Sequence, residues 1–202
     1  MSRRIGIYSG TFDPIHKGHI DFALQAFEKA NLDEVVFFPE TLPRHKPHVT
    51  HISHRLSMIV DAIKPYPKLR AELLPDKRFT VATSLPRLKA LYPNDEILML
   101  VGSDVLSHMS VWPLAKELLS AVGLVVAVRG EKDEKHAFDL IAKLPAQPKE
   151  NHIIMSGHKF IESRNLRAEL KKGNIPEGSL SSVINYSKKN WIYESVLGES
   201  SS

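Results

Sequence analysis

Five short apolar runs punctuate the chain: Ile5–Tyr8, Val35–Phe38, Ile97–Val101, Val122–Val128 and Ile153–Met155. Each is continuous rather than alternating, the pattern of strands covered on both faces, as in a parallel sheet between helices. Between the runs the period becomes helical. Ile20, Ala23, Leu24 and Phe27 recur at i, i+3, i+4, i+7, with Asp21, Gln25, Glu28 and Lys29 opposite. Leu56, Ile59, Val60 and Ile63 repeat the spacing, with Ser53 as the expected N-cap. A third helical segment, at about Thr80–Tyr92, carries Val81, Leu85, Leu88 and Leu91, and also Pro86, which is expected to kink or break it. Lys171-Lys172-Gly173 reads as a helix end, with cations on the negative pole of the helix and a glycine stop.

Strands alternating with helices predict βαβ units and an α/β fold: a doubly wound parallel sheet with helices on both faces. Such sheets bind ligands at the carboxyl ends of their strands, close to where the strand order reverses. Pro39–Thr50 and Arg129–Lys135 are expected as long loops, and Gly198–Ser202 as a frayed tail. The 202 residues fit one domain, taken as residues 1–197, with a helical C-terminal part at about 163–195. An apolar content of 43% against 25% charged residues supports a packed core rather than disorder. No apolar run approaches the length of a membrane span. Met1-Ser2-Arg3-Arg4 leads straight into Ile5–Tyr8 without the apolar core of a secretion signal. With no cysteine there is no disulfide, thiolate zinc site or cysteine nucleophile. These features point to the cytoplasm. The net charge of +4 favours anionic partners. Because the charges are interspersed, phosphorylated small molecules fit better than nucleic acid.

Chemistry concentrates in Ile5-Gly-Ile-Tyr-Ser-Gly-Thr-Phe-Asp-Pro-Ile-His-Lys-Gly-His19. A buried strand ends at Tyr8, a tight turn follows, and a helix opens at about Lys17–His19. Gly10 allows close backbone approach, Thr11 offers a hydroxyl and an amide, and exposed N–H groups at the helix start form an anion site. His16 and His19, three apart, both face that opening, and Gly18 leaves room between them. Two converging imidazole donors suit a polyphosphate. An H-x-x-H pair is also compatible with a bare helix start, or with a metal taking Asp13 as a third ligand. The P-loop and the G-x-G-x-x-G dinucleotide fingerprint are both absent. Asp104, after the run Ile97–Val101, is placed to accept from ribose hydroxyls or to cap the next helix. Trp112 is placed to stack on a ring or to fill core. The histidines at 45, 48, 51 and 54 read as a solvated basic loop.

Gly10–His19 resembles the signature of the H-x-G-H nucleotidyltransferase superfamily, with its Rossmann-like fold, and the chain is most similar to the bacterial nicotinate-nucleotide adenylyltransferases nearly end to end. Pro43-Arg-His-Lys46 resembles the basic loop of that family, Phe79-Thr80 its aromatic-Thr pair, Gly102-Ser-Asp104 its Gly-x-Asp, and Val183–Tyr193 its closing helix and terminal aromatic. The resemblance implies transfer of the adenylyl group of ATP to a pyridine mononucleotide, giving deamido-NAD and pyrophosphate. It implies magnesium bound mainly through the ATP phosphates, and no nucleic-acid or membrane partner. His16, His19, Lys46 and Arg167 become the expected catalytic residues. Gly10, Thr11, Phe12, Gly102, Asp104 and Ser163, with His16, His19 and Arg167, are the expected ATP contacts; His45, Thr80, Trp112 and Arg129 are expected on the acceptor.

One segment departs from the family. Where Ile-Ser-x-[Ser/Thr]-x-[Ile/Leu]-Arg is usual, the chain reads Ile161-Glu-Ser-Arg-Asn-Leu-Arg167. Glu162 brings a negative charge toward a triphosphate and Arg164 a positive one. Phosphopantetheine adenylyltransferase, which shares the first signature, is a second reading. A nucleotide-binding protein without turnover is a third.

Overall fold

A computed structural model describes residues 2–44, 46–158 and 161–193. His45 and the expected tail lie outside the described residues. The described strands are β1 (Arg4–Gly10), β2 (Glu34–Pro39), β3 (Leu69–Ala71), β4 (Glu96–Gly102), β5 (Gly123–Val128) and β6 (Asn151–Met155). They form one parallel sheet in the order β3-β2-β1-β4-β5-β6, so the reversal falls between β1 and β4. Helices are α1 (Lys17–Lys29), α2 (Ile52–Ile63), α3 (Val81–Leu91), α4 (Ser103–Met109), α5 (Ala115–Ala121), α6 (Glu131–Ala142), α7 (Ser163–Lys171) and α8 (Ser181–Lys189). None of them is long and apolar enough to cross a membrane.

Continuous apolar runs are needed because successive side chains enter two different cores. Ile5, Ile7, Val36, Phe38, Met99 and Val101 point to one face, where Leu85, Leu88, Leu106, Leu118 and Ile141 from α3–α6 cover them. Val35, Phe37, Leu98, Leu100 and Val125 point to the other, under Phe22, Ala23, Met58, Ile59 and Val183 from α1, α2 and α8. Each fully buried Val, Leu or Ile contributes about 1.5–3 kcal/mol, so a polar residue in any central run would be costly. This double covering leaves only the strand ends free to build a site.

Several expectations change. The buried stripe of α2 is Arg55, Met58, Ile59, Ala62 and Ile63, while Val60 is 49% exposed; the stripe is rotated because an arginine occupies a core position. Its N-cap is His51, not Ser53: His51 Nδ1 accepts from Ser53 N at 3.4 Å. Pro86 does not break α3. The carbonyl it leaves unpaired belongs to Ala82, on the exposed side of the helix, where it is open to solvent. Leu91 is exposed, and Ser84 holds a core position instead. The charged stretch after Val128 is no loop beyond Gly130. Glu131, Asp133 and Glu134 crowd the first turn of α6, where carboxylates favour the positive pole of the helix. Asp133 also accepts from Arg129 N at 2.7 Å and Ser103 Oγ at 2.9 Å, tying the ends of β4 and β5 together.

Candidate functional site

The β1–α1 connection crosses the carboxyl edge of the sheet at the reversal point. Phe12 takes a left-handed φ of 49° and folds its ring into the core, edge-on to Tyr8 at 5.1 Å and to His19 at 5.1 Å. A Cβ on Gly10 would come within 3.0–3.3 Å of that ring, so glycine lets the turn close. Phe12 is thus a floor under His19. The Asp13–Pro14 peptide is cis.

His16 is the N-cap of α1. Its backbone N donates to His19 Nδ1 at 3.2 Å, and the two rings stack with centroids 3.7 Å apart and planes inclined by 26°. Because His19 accepts at Nδ1, its proton in the neutral form sits on Nε2, facing away from the backbone. His16 Nδ1 is buried and has no partner among the described residues. A Cβ on Gly18 would approach the His16 ring to 3.2 Å, so this glycine preserves the imidazole position.

Burial, reinforced by His158 and Arg129 and opposed by Glu162, lowers His16 from its usual 6.5 to about 4. Burial, then His16 and Lys46, also push His19 well down. Both rings are therefore neutral donors at pH 7. An unfolded chain takes up protons on them below 6.5, whereas the folded one holds His16 neutral down to about 4. The His16 contribution to stability is complete above 6.5 and is lost as the pH falls toward 4, and His19, shifted the same way, adds to that loss. Urea midpoints at pH 7.5, 6.0 and 5.0 should fall in that order, less steeply in His16→Gln; equal slopes for the two proteins would contradict the assignment.

Cations converge on the same turn. Lys46 Nζ donates to Thr11 Oγ1 at 2.8 Å from the β2–α2 loop. Arg167 Nη1 donates to Asp13 O at 2.5 Å, and Ser163 Oγ to Pro14 O at 2.9 Å, from α7. The structure thus brings Thr11, His16, His19, Lys46, Ser163 and Arg167 to one loop. The Asp13 carboxylate does not join the histidines. Tyr193 Oη donates to it at 2.5 Å, Thr50 N donates at 3.2 Å, and Arg167 lies 3.8 Å away. A metal held by His16, His19 and Asp13 is thereby disfavoured, and no group of three or more His, Asp or Glu among the described residues is arranged to hold one.

Gly102 and Asp104 stand across the reversal point, at the end of β4 and in the first turn of α4. Gly102, not Asp104, is the N-cap; the Asp104 carboxylate is exposed and lies close enough to raise the buried Tyr8 hydroxyl, secondary to burial itself. A further group lies at Phe79 and Trp112, whose rings are 6.3 Å apart. Phe79 N donates to Glu40 Oε1 at 2.9 Å, and Thr80 Oγ1 caps α3 by accepting from Thr83 N at 3.3 Å. Arg129 does not join that group. Its Nη1 donates to Glu162 Oε1 at 3.1 Å, on the His16 side of the site.

The sequence reading missed Arg55, which is 0% exposed. Its guanidinium donates to Thr50 O at 2.7 Å, Thr11 O at 2.6 Å, Glu40 O at 2.8 Å and Thr41 O at 3.3 Å. It binds the signature turn to the β2–α2 loop that delivers Lys46. The available signal was Met58, Ile59, Ala62 and Ile63, a stripe that runs back to position 55.

A cytidylyltransferase-like family model matches residues 7–167. A probable nicotinate-nucleotide adenylyltransferase of Shewanella sp. is 30% identical over 210 residues, covering 94% of this chain and 99% of the relative. The chain belongs to the nicotinate-nucleotide adenylyltransferase family. The nicotinate-nucleotide adenylyltransferase of Bacillus subtilis is 35% identical over 129 residues, 61% of this chain and 68% of the relative. In fold, the chain is similar to a Plasmodium falciparum nicotinic acid mononucleotide adenylyltransferase solved with NaAD. That match has a TM-score of 0.78 and 22% identity, covering 95% of this chain and 97% of the other.

Proposed function

We propose that the chain joins ATP to nicotinate mononucleotide, giving deamido-NAD and pyrophosphate, with the phosphates lying over the His16–His19 pair. The observation that carries this reading is the pair itself. Two stacked neutral imidazoles, one with a buried nitrogen lacking a partner among the described residues, stand at the N-terminus of α1 where Lys46 and Arg167 also converge. Such a donor set fits a chain of phosphate oxygens.

A phosphate oxygen of the mononucleotide attacks the α-phosphorus of ATP as the bond to the β-phosphate bridging oxygen breaks, and pyrophosphate leaves in line. No protein nucleophile is required, so the chain supplies position and charge stabilisation. His16 donates to the α-phosphate oxygens and His19, through Nε2, to the leaving phosphates. Lys46 and Arg167 offset the charge that accumulates on pyrophosphate. Asp104 receives the ribose hydroxyls, and Phe79 with Trp112 frames the pyridine ring. The donor set is imidazole, ammonium, guanidinium and hydroxyl, which is unsuited to a resident magnesium; the ion would arrive on the triphosphate, where it neutralises phosphate charge.

The test is pyrophosphate release from ATP with magnesium and four parallel additions: nicotinate mononucleotide, nicotinamide mononucleotide, phosphopantetheine and buffer. Release is expected to be fastest with the first. Faster release with phosphopantetheine, or tight ATP binding without release in any arm, would overturn the reading.

A further inference from the structure

Glu162 sets a carboxylate where the proposed reaction needs cations. It is the N-cap residue of α7, in an extended conformation with φ −130°, yet its side chain makes no capping hydrogen bond. The carboxylate reaches across to the end of β5 instead. Oε1 accepts from Arg129 Nη1 at 3.1 Å, and Oε2 accepts from Arg164 Nη2 at 3.4 Å. Its neighbour Ser163 is bonded to Pro14 O, so the carboxylate stands one residue from the signature turn. Arg129 and Glu162 act on the His16 imidazole in opposite directions, so both lie within its electrostatic reach. A phosphate touching His16 lies in the field of this ion pair.

We infer that Glu162 is a resident counter-ion of the phosphate site: it occupies the Arg129 guanidinium when nucleotide is absent, and the phosphate chain of ATP displaces it, so that Glu162 sets the affinity for ATP. The inference rests on the adenylyl-transfer reading. The geometry of the pair suits exchange. Arg129 and Glu162 side chains are 56% and 35% exposed, and such half-solvated pairs are weakly held. Among the described residues, Glu162 holds Arg129 by one Nη1–Oε1 contact, and a phosphate can engage two guanidinium donors at once. Arg164, 81% exposed and two residues along, gives the displaced carboxylate a second cation, so Glu162 moves between partners without being left bare. If it stayed on Arg129, its charge would face the phosphates and repel them.

Glu162→Gln removes the charge and keeps the shape. The KM for ATP, and the Kd for a non-hydrolysable ATP analogue measured by calorimetry, are expected to fall about tenfold, as for removal of a close like charge. The KM for nicotinate mononucleotide should move far less. Arg129→Ala should raise the KM for ATP, and adding Glu162→Gln to it should recover most of that loss, since the unpaired carboxylate is what the first change exposes. If the pair serves only to hold Arg129 in place, Glu162→Gln raises the KM for ATP and the double variant recovers nothing. That result, or an unchanged ATP KM in a folded Glu162→Gln, overturns the inference. Failure of the wild-type protein to release pyrophosphate from any acceptor mixture overturns the adenylyl-transfer reading instead, and analogue binding still reports whether Glu162 opposes the nucleotide.

Discussion

Replacing His16 with alanine is expected to lower turnover by about 10²–10³, a rise in barrier of about 2.7–4 kcal/mol, while the protein stays folded. The size follows from where the charge changes during the reaction. Bound ATP already carries its negative charge, but the share on the α-phosphate equatorial oxygens and the bridging oxygen shifts as the bond breaks. A neutral donor aimed at that position from a buried ring is more effective than the same donor in water, because little solvent competes with it. His16 is 6% exposed and needs no reorganisation to meet the phosphate. The 3.2 Å bond from His16 N to His19 Nδ1 at this helix start is made by the His16 backbone, and truncation leaves it in place, so the cost in helix stability is small. The expected kinetic signature is a parallel fall in kcat and in kcat/KM for ATP, which marks an interaction made in the transition state. His19→Ala should behave similarly. The double variant should be far less impaired than the product of the two single losses, because the stacked rings act as a unit. Steady-state pyrophosphate release, with thermal melting as the folding control, makes the measurement. Near-normal turnover in a folded His16→Ala would remove the imidazole pair from the mechanism.

The layered fold was legible because continuous apolar runs have one economical explanation, and all five runs are strands of the sheet. β3 was invisible: of its three residues only Leu69 is buried, too little to form a pattern. The histidine turn was legible as well, because Gly10, Gly18 and two imidazoles at three-residue spacing between a strand and a helix restrict one another. The clamp behind that turn was not. Arg55 lies on the buried stripe of α2, but an arginine in a sequence weighs against burial, so the apolar pattern alone sets the stripe one step around the helix, through Val60. The long-range pairs were hidden for another reason. Tyr193 meets Asp13 across 180 positions, and Arg129 meets Glu162 across 33, and nothing local in either segment encodes a partner. Glu162 stood out in the sequence as a charge in the wrong place. Only the geometry supplies Arg129 as the cation that holds it.

Arg55→Met is expected to destabilise the protein by about 3–5 kcal/mol, the usual result of removing one side of a buried charged network. For a chain of 202 residues this corresponds to a fall in Tm of roughly 10 °C, at about 2–4 °C per kcal/mol. Methionine nearly fills the volume, so the loss isolates hydrogen bonding from cavity formation. What remains is a set of carbonyls, from Thr11, Glu40, Thr41 and Thr50, turned toward a side chain with no donor. Each buried acceptor left unpaired costs about 1–3 kcal/mol, and partial relaxation keeps the total below their sum. Asp13 also loses a nearby positive charge, which Arg55 supplies to a carboxylate that is 2% exposed. Arg55→Lys should fall between the two, because an ammonium keeps the charge but cannot reach acceptors on three segments at once. If Arg55→Met proves too unstable to purify, urea unfolding of Arg55→Lys carries the test. The functional consequence separates a clamp from mere core filling. The guanidinium spans the turn bearing Thr11 and the loop that brings Lys46 to it, so the lysine variant should show a raised KM for ATP at temperatures well below its melting point. A lysine variant with wild-type stability and wild-type ATP KM would show that these two loops hold their arrangement without Arg55.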